Sequence, residues 1–222
     1  MAIRRFNCPS VIPRSVEVVN INLTLALLDS ALPLKGKKIR TMMTSPTTPN
    51  DLSPLASWSL ELGAQDMDWK AVLNRIYYRL SNNFKLLQFQ YKLLMNISTC
   101  WYMRFKMSID KTSPCCSLCN NNLETLFHIF LKCPITLNFI VLLNEFIRNK
   151  LDSNYSDPSG LYFITCYYNN TDIDYLNLCA KWYISRQFQH QNNLQWVGYV
   201  GWVKRLLIGE KRDLKERLEG LL

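Results

Sequence analysis

The chain has 222 residues, of which 48% are hydrophobic and 12% aromatic, enough to bury a sizeable core. Seven glycines and nine prolines exclude the collagen-like and low-complexity classes. The most apolar stretch falls far short of the roughly 20 residues that a membrane-spanning helix needs. We therefore expect a soluble, folded protein without a membrane partner. The N-terminus lacks the apolar run of a signal peptide, so we expect an intracellular protein, with nucleus or cytoplasm left open.

The net charge of +9 is unevenly distributed along the chain. Residues 69–113 carry eight lysines and arginines and the single acid Asp110, whereas residues 114–180 carry three basic and six acidic side chains. A concentrated basic segment is typical of proteins that bind a polyanion, most often nucleic acid. A solvated helix face is the alternative explanation.

Three regions follow from the composition along the chain. Residues 1–60 are expected to be a poorly structured or unrelated segment ending in a linker, because residues 41–50 are rich in Pro, Ser and Thr. Residues 61–209 are predicted to form a small helical domain. Residues 210–222 are predicted to be a charged C-terminal helix or tail, in which Asp213 and Arg217 have the four-residue spacing that pairs opposite charges on a helix.

The first two predicted helices lie in the basic segment. Apolar residues recur at three- and four-residue spacing after Asp68, which predicts a helix from this N-cap to Leu80. A second helix is predicted over residues 84–97, with Phe84 and Leu87 on its apolar stripe.

Further helices are predicted over residues 135–151, 172–188 and 194–208. Pro134 favours a helix start directly after it, and Asp172 is predicted to cap the helix that it opens. The turn-rich residues 152–160 between the first two of these helices predict a loop. Few alternating patterns occur, so the fold class is predicted to be mainly α.

Four residues suggest a metal site: Cys116, Cys119, His128 and Cys133. Two cysteines separated by two residues can place both sulfurs on one ion from a tight turn, as a tetrahedral zinc site requires. Four protein donors leave no ligand position for water, so such a zinc ion would be structural. The alternative is a cluster of buried free cysteines.

The spacing between His128 and Cys133 restricts the local backbone. Residues five apart on an α-helix differ by about 140° around its axis, so both could not bind one ion from within a helix. Pro134 disfavours a helical conformation for Cys133, which we therefore place just past a short helix and folded back toward His128. Asn121 and Glu124 are predicted to form a reciprocal cap at the start of that helix.

The other cysteines are interpreted differently. Cys115 is an alternative to Cys116 as a ligand, but its spacing to Cys119 is less favourable. The remaining four lack a second donor nearby and are expected to be core or incidental residues: Cys8, Cys100, Cys166 and Cys179.

Residues 114–134, with Cys116-x2-Cys119, Glu124-Thr125, His128-x-Phe130 and Cys133-Pro134, resemble the C-terminal zinc-binding region of non-LTR (LINE-type) retrotransposon reverse transcriptases. The segments 87–94 (LQFQYKLL) and 178–186 (LCAKWYISR) are similar to the helices that flank this region in the family. The resemblance thus spans about residues 69–208. It implies that the four residues of the predicted site bind zinc and that the domain is a helical fold with an embedded CCHC zinc knuckle.

The resemblance also implies contact with nucleic acid, RNA more than DNA. The residues proposed for those contacts are the basic and aromatic side chains of the basic segment: Lys85, Lys92, Trp101, Tyr102, Arg104, Lys106 and Lys111. A core face with a basic rim is the alternative for the aromatic residues.

The sequence departs from the family in having no Asp-Asp dipeptide, which the polymerase needs to hold two metal ions. We therefore predict no enzyme activity and no catalytic residues, in a retroelement fragment whose partner could be a separately supplied polymerase. The alternative function is a structural or protein-interaction zinc domain, an inert remnant that binds no nucleic acid.

Overall fold

The computed structural model describes residues 53–76, 80–98, 100 and 114–222. Within these ranges the chain forms the π-helical turn His128–Lys132 and a series of α-helices: α1 (Ser53–Leu62), α2 (Trp69–Arg75), α3 (Phe84–Leu94), α4 (Pro134–Lys150), α5 (Leu161–Thr165), α6 (Thr171–His190), α7 (Trp196–Leu207) and α8 (Arg212–Glu219). The mainly α prediction is confirmed. No helix in the described part of the chain has the length and apolar character needed to cross a bilayer.

Helix α6 lies at the centre of the fold. It packs against α3, α5, α7 and α8, and its side chains are buried over most of its length. The Asn170 side chain caps it by accepting hydrogen bonds from the backbone N–H groups of Asp172 and Ile173. The predicted cap at Asp172 is wrong because this carboxylate instead binds Arg217 of α8.

Helices α2 and α3 start as predicted but differ from the prediction further along. Asp68 caps α2 by accepting a hydrogen bond from Ala71 N. Helix α3 ends at Leu94, and Asn96 adopts a left-handed conformation with φ of 53°. The buried face of α3 consists of Leu86, Gln90, Tyr91, Leu93 and Leu94. Phe84 and Leu87, predicted on the apolar stripe, are only half-buried, whereas the polar Gln90 lies on the buried face.

The segment between α4 and α6 contains the predicted loop and a helix that the sequence did not indicate. Helix α5 is a single short turn whose N-terminal N–H groups are held by Asp157. The Asp157 carboxylate accepts hydrogen bonds from Tyr162 N (3.2 Å) and Phe163 N (2.7 Å). Burial raises the pKa of Asp157 above its ordinary value.

Both ends of the described chain pack onto the core. Helix α1 begins at Ser53, before the predicted start of the folded region, and buries Leu55, Trp58 and Leu62. Residues 1–52, which make up most of the predicted N-terminal segment, lie outside the described residues. In the C-terminal region, α8 buries Leu214 and Leu218.

Candidate metal centre

Four donor atoms converge where the sequence predicts a metal site. The Sγ atoms of Cys116, Cys119 and Cys133 and an imidazole nitrogen of His128 lie within 4.8 Å of one another. The sulfurs of Cys116 and Cys133 are 3.9 Å apart, and Cys119 Sγ lies 3.2 Å from His128 Nε2. Cys116, Cys133 and His128 are buried, and Cys119 is partly exposed. This cluster can hold a metal ion.

A backbone turn places the first two cysteines. Cys115 and Leu123 form an isolated antiparallel bridge, and Cys116 N donates a hydrogen bond to Asn122 O (2.7 Å) across it. Asn120 then turns the chain in a left-handed conformation with φ of 56°. Cys119 N lies 3.5 Å from Cys116 Sγ and donates to it, so the turn directs both sulfurs toward the same point.

Glu124 holds this turn from inside the fold. Its side chain is only 1% exposed, and its Oε2 accepts hydrogen bonds from Ser117 N and Ser117 Oγ, both 3.0 Å away. The predicted reciprocal cap between Asn121 and Glu124 is therefore wrong. The residue that caps the helical turn of His128 is Thr125, whose Oγ1 accepts a hydrogen bond from His128 N (3.1 Å).

A π-helical turn brings Cys133 back to His128. Cys133 N donates to His128 O at 2.7 Å, an i to i+5 hydrogen bond that defines a π-turn. Cys133 itself is extended, with φ of −72° and ψ of 122°, as predicted for a residue before proline. The sequence predicted a short α-helix after which the chain folds back toward His128. The structure has this wider turn instead, and it likewise brings Cys133 close to His128.

The environment of Cys133 favours a thiolate. The hydrogen bond with Cys116 lowers the pKa of Cys133 below its ordinary value, and His128 and the N–H groups of Thr136 and Ile135 at the start of α4 act in the same direction. The same bond raises the pKa of Cys116 above its ordinary value. A thiolate is the form that binds metal, so these contacts favour the metal-binding form of Cys133.

The distance between the sulfurs of Cys116 and Cys133 fits a tetrahedral ion bound by thiolates. A zinc–sulfur bond of about 2.3 Å implies sulfurs roughly 3.8 Å apart in a tetrahedron, close to the Cys116–Cys133 separation of 3.9 Å. Three thiolates with one imidazole is a donor set of closed, structural sites.

The remaining cysteines do not join the cluster. Cys115 lies in the bridge with Leu123 and is not one of the four converging residues, so the alternative register is not adopted. Cys100, Cys166 and Cys179 are buried core residues, as expected. Cys8 lies outside the described residues.

Few of the residues proposed for nucleic-acid contact can be placed. Trp101, Tyr102, Arg104, Lys106 and Lys111 all lie outside the described residues. Lys85 is exposed on α3, and Lys92 lies two turns further along the same face and is partly buried. Neither lysine forms an ion pair with any described residue.

Comparisons with protein-family models, with curated proteins and with solved structures found no match for this chain.

Proposed function

We propose that this chain is a non-catalytic, zinc-stabilised helical module that binds nucleic acid. The observation that carries the proposal is the convergence of three cysteine sulfurs and one imidazole within 4.8 Å. Thiolate-rich tetrahedral sites favour zinc over harder divalent cations. Because the protein would supply all four ligands, the ion would connect the turn of Cys116 and Cys119 to the π-turn and not bind a substrate.

The role in nucleic-acid binding is supported by charge and by the resemblance to LINE-type reverse transcriptases. The basic segment contains eight cations and one acid, and Lys85 and Lys92 form no ion pair within the described part of the chain. RNA is the more plausible ligand on the resemblance, and a polymerase supplied separately would be the natural partner. The phosphates would be neutralised by lysines and arginines of this segment.

A second function, a structural or protein-interaction zinc domain, is favoured by one ion pair. Arg75 belongs to the basic segment, and its guanidinium binds the buried carboxylate of Asp174 at 2.5 Å. If the other cations of the segment were neutralised in the same way, the protein would have no electrostatic attraction for nucleic acid.

The metal proposal is tested by the zinc content of the purified protein. We expect about one zinc per chain in the wild type, and little zinc together with reduced helical signal in Cys116→Ser and His128→Ala. Cys179→Ala removes a buried cysteine outside the cluster and serves as the matched control, which should keep its zinc. A wild type without zinc, or a Cys116→Ser variant with full zinc, would contradict the proposal.

Binding of nucleic acid is tested by titrating single-stranded RNA into the zinc-loaded protein at several salt concentrations. Phosphate contacts predict an affinity that falls steeply as salt rises. An affinity that does not change with salt would contradict such contacts. Failure of the zinc-loaded protein to bind RNA at low salt would favour the second function. Unchanged binding after charge reversal of Arg104 and Lys106 would exclude only these two residues as contacts.

A further inference from the structure

A row of aromatic side chains crosses three helices of the fold. Phe89 of α3 stacks on Trp182 of α6, with ring centroids 6.2 Å apart and planes inclined by 18°. Trp182 in turn meets Trp202 of α7 edge to face at 6.3 Å. The Arg205 guanidinium lies 5.7 Å from the Trp202 ring centroid. We call Phe89, Trp182 and Trp202 the aromatic row.

The row lies at the surface of the protein. All three residues are partly exposed, whereas most other aromatic residues of α6 and α7, including Tyr175, Tyr183 and Tyr199, are buried. The three residues also pack against the hydrophobic core, so the row lies at its edge. Here the helices keep their largest planar side chains in contact with one another and with solvent.

The helix segments that carry the row contain no acidic residue. The two aspartates of α6, Asp172 and Asp174, lie in its first turn and pair with Arg217 and Arg75. Residues 84–94, 181–190 and 196–207 contain no Asp or Glu, and their cations are Lys85, Lys92, Lys181, Arg186, Lys204 and Arg205. Of these only Lys181 is fully buried.

The spacing of the cations places several of them beside the row. Lys85 and Lys92 lie four residues before and three residues after Phe89, so all three share a face of α3. Arg186 follows Trp182 by one turn of α6, and Arg205 follows Trp202 by one turn of α7. The row is therefore bordered by cations on each of its three helices.

We propose that the aromatic row and its bordering cations bind single-stranded nucleic acid, with unpaired bases packed against the exposed ring surfaces and phosphates paired with the lysines and arginines. Every base has a π-face, so stacking of this kind needs no particular sequence. In a duplex the base faces are already stacked on one another, which restricts the surface to unpaired strands. The inference rests on the proposed function, for which it names the contact surface, and its residues are largely distinct from those that the sequence indicated.

The test measures the affinity of the full, zinc-loaded chain for fluorescein-labelled oligo(U), oligo(dT) and a duplex of equal length, by fluorescence anisotropy. Trp182→Leu and Trp202→Leu remove one ring each and should weaken oligo(U) binding about tenfold. Trp196→Leu is the matched control: Trp196 is also a partly exposed tryptophan of α7, but it packs against Phe146 and Phe139 away from the row.

A charge variant beside the row tests the same surface without changing the packing of the rings, and a charge variant elsewhere serves as its control. Arg186→Gln should weaken binding and reduce the slope of affinity against salt by about one phosphate contact. Arg148→Gln removes an exposed cation of α4 and should leave both quantities unchanged. Zinc content and the far-ultraviolet circular dichroism spectrum of each variant identify any loss of fold.

The outcomes separate the inference from the proposed function. If the wild type binds oligo(U) but both tryptophan variants and Arg186→Gln bind equally well, the row is not the contact surface, while the proposed function stands. A duplex bound as tightly as oligo(U) also overturns the inference. If the wild type binds no oligonucleotide at low salt, the proposed function fails, and the inference fails with it.

Discussion

Gln90 and Lys181 donate hydrogen bonds to the same backbone oxygen, the carbonyl of Ile164, each at a distance of 2.7 Å. Both side chains are fully buried, and Lys181 Nζ also lies 3.0 Å from Cys166 Sγ. Burial lowers the pKa of Lys181 below its ordinary value. The Ile164 carbonyl belongs to the last turn of α5, where a helix leaves its carbonyls without backbone partners. Two distant helices, α3 and α6, thus supply the missing donors.

This shared acceptor predicts non-additive effects on stability. Gln90→Leu and Lys181→Met each leave the Ile164 carbonyl one donor, whereas the double variant leaves it buried with none. We expect the double variant to lose about 1 kcal/mol more free energy of unfolding than the two single losses together. Urea unfolding of the three variants measures this coupling.

A second double variant provides the control for that coupling. Tyr199 donates its hydroxyl to Leu176 O at another site on α6, so Tyr199→Phe combined with Gln90→Leu should be additive. Additive losses for Gln90→Leu with Lys181→Met would mean that the carbonyl does not depend on the two side chains jointly.

Glu124 is expected to determine how tightly the proposed ion is held. Glu124→Gln keeps the size of the side chain but weakens the charge-assisted hydrogen bonds to Ser117 that hold the cysteine turn. Groups that orient metal ligands typically contribute about 10- to 100-fold to affinity, so we expect zinc binding at least about tenfold weaker. Competition with a zinc-binding dye measures it. Glu145→Gln, an exposed site on α4, should match the wild type, and a normal affinity in Glu124→Gln would contradict this role.

Two glycines should respond in opposite ways to alanine. Gly160 has φ of +73°, and an added Cβ would lie 2.6 Å from Leu131 Cδ2 in the π-turn. Gly160→Ala should therefore lower the free energy of unfolding by about 1 to 3 kcal/mol. Gly201 lies inside α7 with open space around it, so Gly201→Ala should raise stability by about 0.5 to 1 kcal/mol. Chemical denaturation of both variants measures the free energy of unfolding. A change of the same sign in both variants would contradict this expectation.

Tyr168 is expected to control the acidity of Asp152. The Tyr168 hydroxyl donates to Asp152 Oδ2 at 2.6 Å, which lowers the pKa of Asp152 below its ordinary 3.8 and raises that of Tyr168 to about 12. In Tyr168→Phe the Asp152 pKa should rise toward 3.8, though only partly, since Asn154 N still donates to the same carboxylate. NMR titration of the carboxyl carbon measures it, and an unchanged pKa would exclude the tyrosine as the cause.

The same contact predicts how stability depends on pH. A carboxyl whose pKa is lower in the folded state stabilises the fold above its unfolded pKa of about 3.8, and this contribution disappears as pH falls through the folded value. Tyr168→Phe should therefore destabilise the protein at pH 6 through this carboxylate and lose that effect at the lowest pH. When Asp152→Asn is already present, adding Tyr168→Phe should no longer alter the pH dependence of stability in the acid range.

The helix starts and the ligand cluster could be predicted from the sequence because each depends on residues close together in the chain. Pro134 opens α4 and Asp68 caps α2, as predicted, since each depends on a residue's own backbone preference or nearest amides. The convergence of Cys116, Cys119, His128 and Cys133 was also predicted, because the spacing of ligands within 18 residues is itself a local pattern.

The errors arise where a distant partner determines the outcome. Asp172 does not cap α6 because Arg217, 45 residues away, binds both of its carboxylate oxygens. The expected pairing of Arg217 with Asp213 within α8 is replaced by this contact. Gln90 was not assigned to the buried face of α3 because nothing in its own segment indicates the Ile164 carbonyl. Such pairs connect residues whose proximity only the folded chain creates.

The π-turn of His128–Lys132 has a consequence for how the spacing of this motif should be interpreted. Four residues separate the histidine from the cysteine. Their side chains lie on the same side of the turn only because the backbone hydrogen bond joins residues five apart instead of four. A chain with three intervening residues would achieve the same chelation on an ordinary α-helix, where positions four apart share a side. Removing one residue of this turn should therefore convert it to an α-helical turn and keep the histidine and cysteine side chains on the same side. Inserting one residue should separate the two ligands. The number of residues between the histidine and the cysteine therefore indicates whether an α-helical or a π-helical turn carries the two ligands.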